Sequence, residues 1–312
     1  MDFRTIVPLP PEAPVVTPST RALVLGSCFA EHIGERLRVA LGAEQCCVNP
    51  FGVLYNPMSI AQALELLLAA PSSHADGRTP QLDDAIFEGR DGLWHSWLHS
   101  THYSAATREE CSARCHAAMA EARRVLDEAD LLIVTFGTSR CYTLTDEPPP
   151  HAPTAAPHAT ADAGGATSRV VANCHKELAT RFAEHDCTTH DIVATWRPLL
   201  DELQRRRPGL QVVFTVSPYR YRKYGYHASQ LAKARLLLAV DDLPAHYFPA
   251  YEIVLDELRD YRYYKPDMLH PSDQAVDYIW ERFAEWALTP DAAAQYIQHT
   301  RALKQLRHHE NH

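Results

Sequence analysis

The sequence has no apolar run that approaches the roughly 20 residues needed to span a bilayer. It also lacks a basic excess, because 30 Lys and Arg residues against 39 Asp and Glu residues give a formal net charge of -9. That balance argues against a nucleic-acid partner held through phosphate contacts. With 46% hydrophobic and 22% charged residues, the composition is that of a soluble globular protein without a membrane partner.

The first residues, MDFRTIVPLPPEAPVV, lack the basic segment and apolar core of a signal peptide. We therefore expect a cytoplasmic protein, in which the eight cysteines form no disulfide framework. Cys111 and Cys115 are four apart beside His116, but they lack a second Cys/His pair at matching spacing. We treat most of the cysteines as structural and predict no metal site.

Glycine-rich loops of the kinds that bind dinucleotides or phosphates are also missing, and we expect no cofactor. One segment has little apolar bulk, residues 146–168, which are rich in Pro, Ala, Thr and Gly. Such a segment cannot bury enough surface to order itself, so we predict a mobile insert there.

The rest of the chain alternates between strand-like and helix-like segments. Three stretches contain short apolar runs typical of buried strands: 22–26, which ends in Gly26, 130–144, whose apolar run ends at Gly137, and 210–221, where a polar loop follows. Amphipathic helices are predicted between and after them, at 28–41, 59–70, 108–129, 194–209, 227–240 and 274–288. This alternation predicts an α/β fold with a parallel sheet and helices on both faces. In such sheets, ligands bind beyond the carboxyl ends of the strands.

The chain divides into three parts on this basis. Residues 1–20 form an N-terminal extension, residues 21–289 a single domain, and residues 290–312 a C-terminal helix followed by a polar tail. Within the domain, Ser59 is the predicted N-cap of the helix that follows the loop 49–59.

Two nucleophile-capable side chains, Ser27 and Cys28, lie side by side where the first strand turns into the first helix. Cys28 is favoured, because the positive end of a helix dipole lowers the pKa of a thiol towards neutrality. Ser27 would need a correctly placed base, and it stays the alternative nucleophile.

A candidate base stands near the other end of the chain, in the stretch KPDMLHPSD. Asp267 and His270 are three apart, so the carboxylate can hydrogen-bond the imidazole and fix its tautomer. Arg220 follows the third strand and could bind a substrate carboxylate or phosphate there.

Several motifs occur in the order of one known family. They are GSCFA (26–30), NPFGVLYNP (49–57), TFGTS (135–139), NCHK (173–176), TVSPYR (215–220), FPAYEIVLDELRDYRYY (248–264) and DMLHP (267–271). The chain resembles the GSCFA domain family over residues 20–285, and that family looks like a branch of the SGNH (GDSL-type) hydrolase superfamily. The resemblance implies a three-layer α/β/α, flavodoxin-like sheet.

The resemblance also implies roles for individual residues. Cys28 falls on the nucleophile position of the superfamily, and Asp267 and His270 fall on its catalytic Asp and His. Gly52 is the nearest counterpart of an oxyanion-hole glycine.

The third motif of the superfamily, Gly-x-Asn, is incomplete here. It corresponds to Gly137-Thr138-Ser139, so Ser139 stands where the superfamily has an oxyanion-hole asparagine. Asn49 or Asn173 could supply the missing donor, and the sequence does not choose between them.

We therefore expect an acyl-transfer enzyme, either an esterase or thioesterase or an acyltransferase. It would work through an acyl-cysteine and a Cys-His-Asp triad on a small or carrier-bound acyl substrate. Two alternatives stay open: a non-catalytic binding or scaffold protein on the same fold, and a serine esterase that uses Ser27 on a carbohydrate ester.

Overall fold

The computed structural model describes residues 4–69, 80–145 and 169–310. Its strands are β1 (Ala22–Gly26), β2 (Cys46–Val48), β3 (Ile86–Glu88), β4 (Trp94–Ser96), β5 (Leu131–Phe136), β6 (Arg140–Leu144), β7 (Phe182–Asp186), β8 (Gln211–Val216) and β9 (His246–Tyr247). Its helices are α1 (Cys28–Leu41), α2 (Pro57–Leu68), α3 (Pro80–Asp83), α4 (Arg108–Glu128), α5 (Thr189–Arg206), α6 (Tyr226–Asp241), α7 (Ala250–Glu252), α8 (Asp273–Ala287) and α9 (Pro290–Glu310). The insert predicted at 146–168 lies outside the described residues.

A five-stranded parallel sheet forms the centre of the fold, in the spatial order β2-β1-β5-β8-β9. Numbered along the chain, these strands follow the order 2-1-3-4-5 of flavodoxin-like proteins. The order reverses between β1 and β5, and at that point the loops that leave the two strands diverge to opposite faces. The predicted three-layer α/β/α architecture is confirmed.

Both faces of the sheet are covered, as the apolar runs in its strands predict. Along β5, Leu132 and Val134 belong to a core beneath α2, α4, α5 and α6. Their neighbours Leu131 and Ile133 belong to the opposite core, beneath α1 and α8. Side chains alternate between the faces of a strand, so a strand with two covered faces is apolar at every position.

Most predicted boundaries agree with the structure to within a few residues, and β1 and α1 begin and end where the sequence predicts. The N-cap prediction for α2 is wrong. The helix begins at Pro57, and the cap is Asn56, whose Oδ1 accepts the N–H of Ser59 at 2.8 Å. A proline is well tolerated at the first helical position, because its missing N–H would have no partner there.

The short pairings outside the main sheet were not predicted. Strands β3 and β4 form one antiparallel pair, and β6 and β7 form another. The strand predicted to end at Gly137 is confirmed as β5, which ends at Phe136, whereas β6, which follows it, was not predicted and leaves the sheet to pair with β7. After α7 the chain makes a π-helical turn, Ile253–Glu257, in place of a regular helix.

The C-terminal helix packs on the domain rather than extending away from it. Gln295 of α9 donates to the carbonyl of Ala40 at 2.7 Å, and His299 lies 2.8 Å from the carbonyl of Val39. Across the residues that the structure describes, no helix combines the length and apolar composition needed to cross a membrane.

Gly26, the last residue of β1, is in a conformation that other residues rarely adopt. Its φ is +139°, and a Cβ built on it would lie 2.3 Å from the carbonyl oxygen of Thr135 on the neighbouring strand. Glycine is therefore required here both by backbone conformation and by the closeness of β5.

Replacing this glycine tests that constraint. We expect Gly26→Ala to lower the free energy of unfolding by at least about 3 kcal/mol, since the clash is with backbone that cannot move aside. Chemical denaturation followed by circular dichroism measures the effect. Gly209→Ala is the matched control, because a Cβ there meets nothing within 4 Å and an effect within about 0.5 kcal/mol is expected. Equal losses in the two variants would contradict the argument.

Candidate active site

A cavity of about 380 Å³ opens at the carboxyl ends of β1, β5 and β8. It lies where the strand order of the sheet reverses, the usual ligand position in open parallel sheets. Its lining combines polar groups with flat aromatic walls: Ser27, Cys28, Tyr55, Asn56, Gly137, Thr138, Arg140, Tyr142, Val171, Ala172, Asn173, Cys174, Ser217, Tyr219, Tyr221 and His270. The polar loops that the sequence places at these strand ends therefore do meet.

Ser27 and Cys28 have different surroundings, although they are adjacent. Ser27 is only 1% exposed, and its Oγ accepts the N–H of Phe29 as the N-cap of α1. Cys28 is the first residue of the helix, and its side chain is partly exposed towards the cavity. The serine hydroxyl is thus engaged in capping, and the thiol is the more accessible of the two groups.

The expectation of a low thiol pKa is wrong. Burial raises the pKa of Cys28 above its ordinary value, and the negative charge of Glu31 raises it further. The backbone N–H groups of Phe29 and Cys28 and the ammonium of Lys233 act in the opposite direction but do not cancel the effect of burial. A desolvated thiolate is costly, so in the free protein this residue rests as a thiol.

His270 and Asp267 lie in a tight turn between β9 and α8. The imidazole Nδ1 is 2.5 Å from Asp267 Oδ2, and Asp267 Oδ1 accepts the backbone N–H groups of Leu269 and His270. These contacts hold the pKa of Asp267 below its usual range, with the hydrogen bond to His270 as the largest cause. An ionised carboxylate on Nδ1 makes that nitrogen the donor, so the proton-accepting nitrogen of a neutral ring is Nε2.

Cys28 and His270 face the same cavity from opposite ends of the sequence. Tyr219 lies close to both residues. Its ring centroid is 4.4 Å from that of His270. Burial raises the pKa of Tyr219, and the negative charges of Cys28 and Asp267 raise it further. Among the hydrogen bonds of the described residues, none joins the thiol to the imidazole. Catalytic hydrogen bonds are often long in proteins without substrate.

Comparison with known proteins bears on this arrangement. The sequence matches the GSCFA family over residues 21–283, which include the β1–α1 turn and the turn that carries His270. The chain belongs to the GSCFA family. Comparisons with curated proteins and with solved structures gave no match.

In this GSCFA protein, two asparagine side chains line the cavity, and each has an NH₂ group that is available as a hydrogen-bond donor. Asn173, a predicted donor, accepts the His175 N–H through Oδ1 at 2.7 Å, so its NH₂ is its remaining polar group. Asn56 was missed as a site residue, and it has the same arrangement, because its Oδ1 is used to cap α2. The Asn56-Pro57 pair directly before a helix was the signal in the sequence that could have identified Asn56.

The other two predicted oxyanion groups lie outside the cavity lining. Asn49 Oδ1 accepts the N–H of Gly26 at 2.8 Å and so fixes the end of β1. Gly52 packs against Ser100, whose Oγ would lie 1.9 Å from a Cβ on the glycine. Their contribution to an oxyanion hole stays a prediction that this placement does not support.

Gly137 lines the cavity, but its N–H is already used, as is that of Thr138, because both donate to the carbonyl of Tyr55. Ser139 is fully buried, and its hydroxyl donates to Asp186 at 3.1 Å. These contacts build the wall of the cavity rather than present donors to it.

Arg220, predicted to bind a substrate anion, instead contacts the turn that carries the histidine. Its backbone N–H donates to Leu269 at 3.0 Å, and its guanidinium donates to the carbonyl of Met268 at 3.3 Å. Binding of a substrate anion stays a prediction, and the observed contacts indicate a role in holding the turn in place.

Lys233 of α6 is the most unusual residue near the site, and sequence reasoning missed it. Its side chain is 2% exposed, and Nζ donates to the carbonyls of Gly137 at 2.7 Å and Ser217 at 2.6 Å. Those carbonyls follow β5 and β8 directly, so the lysine ties together two walls of the cavity. Burial lowers its pKa to about 7, while a Cys28 thiolate would raise it.

The sequence did contain a signal for this residue. Along α6, Ser229, Ala232, Lys233, Leu236, Ala239 and Val240 are buried, and their spacing is that of one helix face. A lysine at the centre of an apolar face is rare, because burying an ammonium group is costly unless it serves a specific contact.

The lysine charge should be measurable at the thiol. We expect Lys233→Met to raise the pKa of Cys28 and slow its alkylation, since a lysine with a pKa of about 7 that is drawn into its charged form by the Cys28 thiolate can no longer stabilise that thiolate. At a pH below the pKa of the thiol, each unit by which that pKa rises reduces the thiolate fraction about tenfold. Iodoacetamide alkylation of the Cys28 peptide as a function of pH, followed by mass spectrometry, gives both quantities.

Lys223→Met is the matched control for this measurement. It removes an exposed lysine whose partner is the Tyr142 hydroxyl and whose charge does not contribute to the Cys28 pKa shift. Its alkylation profile should match that of the unmodified protein. An unchanged profile in Lys233→Met would show that the buried charge does not reach the thiol.

Proposed function

We propose that this GSCFA protein is an acyl-transfer enzyme that forms an acyl-thioester on Cys28. The carrying observation is that the partly exposed thiol shares a cavity with His270, whose Nδ1 is held by Asp267. This is the nucleophile–base–orienter arrangement that covalent acyl transfer requires.

The raised thiol pKa favours a particular order of events. Cys28 rests as a thiol, and His270 Nε2 takes its proton as the sulfur attacks the acyl carbonyl. The bond from the carbonyl to the leaving group then breaks, and the leaving group takes that proton from His270. Water or an amine attacks the thioester next and gives a proton to His270. The carbon–sulfur bond then breaks, the acyl product leaves, and the Cys28 sulfur takes the proton from His270 to become a thiol again.

The oxyanion that forms during each attack needs hydrogen-bond donors. The backbone N–H of Cys28 is at the first position of α1, so it has no intrahelical acceptor. The amide groups of Asn56 and Asn173 line the same cavity. Donors fixed in advance around a developing oxyanion are the largest source of catalysis in acyl transfer.

These donors would do the work of the asparagine missing from the third superfamily motif. The SGNH-type relationship of the family is part of the same proposal. It is supported by the strand order of the sheet and by the Asp267–His270 pair close to α8.

The serine alternative has less support. A hydroxyl that caps α1 and is 1% exposed would have to leave the helix end before it could attack. The raised pKa of Cys28 favours a purely binding function, because the thiol is not ionised in the free protein. The two experiments below distinguish these possibilities from acyl transfer.

The acyl-enzyme is directly detectable. Incubation with p-nitrophenyl acetate should add one acetyl group on Cys28, seen by intact-mass and peptide mass spectrometry, and neutral hydroxylamine should remove it as expected of a thioester. Cys28→Ala should abolish the adduct and Ser27→Ala should retain it. Loss of the adduct in Ser27→Ala alone would refute the cysteine mechanism.

Cys174→Ala is the matched control for this labelling. Cys174 is the other thiol on the cavity wall, and burial raises its pKa to about 11. Unlike Cys28, it does not lie at the start of a helix, so its replacement should leave the acetyl adduct in place. An adduct that disappears with Cys174 would identify chemical labelling without catalysis.

The base can be tested through the rate of acylation. We expect His270→Ala to slow acetylation of Cys28 by about 10²- to 10⁴-fold, the usual contribution of a positioned general base. Asp267→Asn should cause a smaller loss, since the ring remains but its tautomer is no longer fixed. Stopped-flow release of p-nitrophenolate measures the rates. Wild-type acylation rates in His270→Ala, with the fold intact by circular dichroism, would leave a binding protein as the better description.

A further inference from the structure

A second cluster of reactive side chains lies outside the cavity, on the β6–β7 hairpin. Cys141 of β6 is paired directly with His185 of β7, and Cys187 follows two residues after that histidine. Residues that are paired, or two apart on one strand, share a face of a sheet. One ligand atom from each of the three residues lies within 4.8 Å of the others.

The two sulfur atoms are unusually close. They are 2.8 Å apart, both side chains are almost fully buried, and both cysteines are free. A disulfide would require about 2.05 Å. The two thiols are therefore in direct contact without a disulfide bond, and this interaction lowers the pKa of Cys187.

The third member gives the cluster access to solvent. His185 is exposed, and its interaction with the Cys187 sulfur raises the pKa of the imidazole. The carboxylates nearby are already engaged: Asp186 with Ser139 and Arg140, and Asp191 in the capping box of α5. The cluster thus meets solvent through the exposed histidine, while these two carboxylates have other partners.

We propose that Cys141, His185 and Cys187 bind one Zn²⁺ ion, with water as the fourth ligand. Two cysteine thiolates and a neutral imidazole are a ligand set that zinc favours over magnesium or calcium. The ion would bind both sulfurs as thiolates, and the protons that they lose would go to solvent. On a tetrahedral zinc with bonds of about 2.3 Å, the sulfurs would be about 3.8 Å apart, so binding opens the pair by about 1 Å.

At this position between β6 and β7, the ion would have a structural role. Cys141 and Cys187 are 46 residues apart in sequence, so a link between them restricts the unfolded chain. Arg140 and Tyr142, the neighbours of Cys141, both line the cavity. Zinc at the base of the hairpin would therefore fix one wall of the candidate active site without taking part in its chemistry.

Metal titration of the reduced full-length protein tests this inference. We expect one equivalent of Zn²⁺ to bind, Co²⁺ to give thiolate-to-cobalt charge-transfer absorption, and zinc to raise the midpoint of thermal unfolding. Cys187→Ser should weaken zinc binding by more than the tenfold to hundredfold that loss of a supporting residue causes. Cys174→Ser is the matched control and should bind as the unmodified protein does.

His185→Ala keeps the test decisive if the cysteine variant does not fold, because this side chain is exposed. It should weaken zinc binding and alter the cobalt spectrum. Absence of charge-transfer absorption, unchanged zinc affinity in both variants, or a Cys141–Cys187 disulfide found by thiol counting would each overturn the proposal. None of these results depends on acyl transfer at Cys28, so the two proposals fail separately.

Discussion

The approach of three backbone segments at the carboxyl ends of β1 and β5 is the constraint on which the candidate site depends. Gly26 lies so close to β5 that a side chain would meet a carbonyl oxygen, and its N–H is held by Asn49. Gly137 also lies close to the loop before α2, where the carbonyl of Tyr55 accepts its N–H. These contacts fix the end of β1 and therefore place Cys28 at the start of α1, at the mouth of the cavity.

Electrostatics at this point is a balance between burial and nearby charge. Burial makes the thiolate of Cys28 costly, and it also makes the ammonium of Lys233 costly. Each charge would stabilise the other, because an interaction between opposite charges is stronger where water is excluded. A thiol that is neutral at rest and easier to ionise beside a cation and a base suits transient formation of an acyl-thioester.

The walls of the cavity differ in how firmly they are held. The wall formed by the sheet is fixed by buried backbone hydrogen bonds and by Lys233. The turn that carries His270 is partly exposed and depends on local contacts, among them those from Arg220. The β6–β7 hairpin supplies a third wall, anchored at Cys141 and Cys187. The proposed base therefore lies on a partly exposed turn, whereas the proposed nucleophile lies beside the firmly held sheet.

The sequence by itself determined the α/β class, the parallel sheet, the β1–α1 turn and the pairing of Asp267 with His270. These follow from local patterns: apolar runs that end in glycine, helical periodicity, and the short reach of a carboxylate across three residues. Only the tertiary structure decided the remainder. Whether the Cys28 thiol is desolvated, whether Lys233 contacts the walls of the cavity, and which asparagines line it depend on residues far apart in the chain. Burial is a property of the assembled fold, and for that reason the predicted direction of the Cys28 pKa shift was wrong although the residue itself was found.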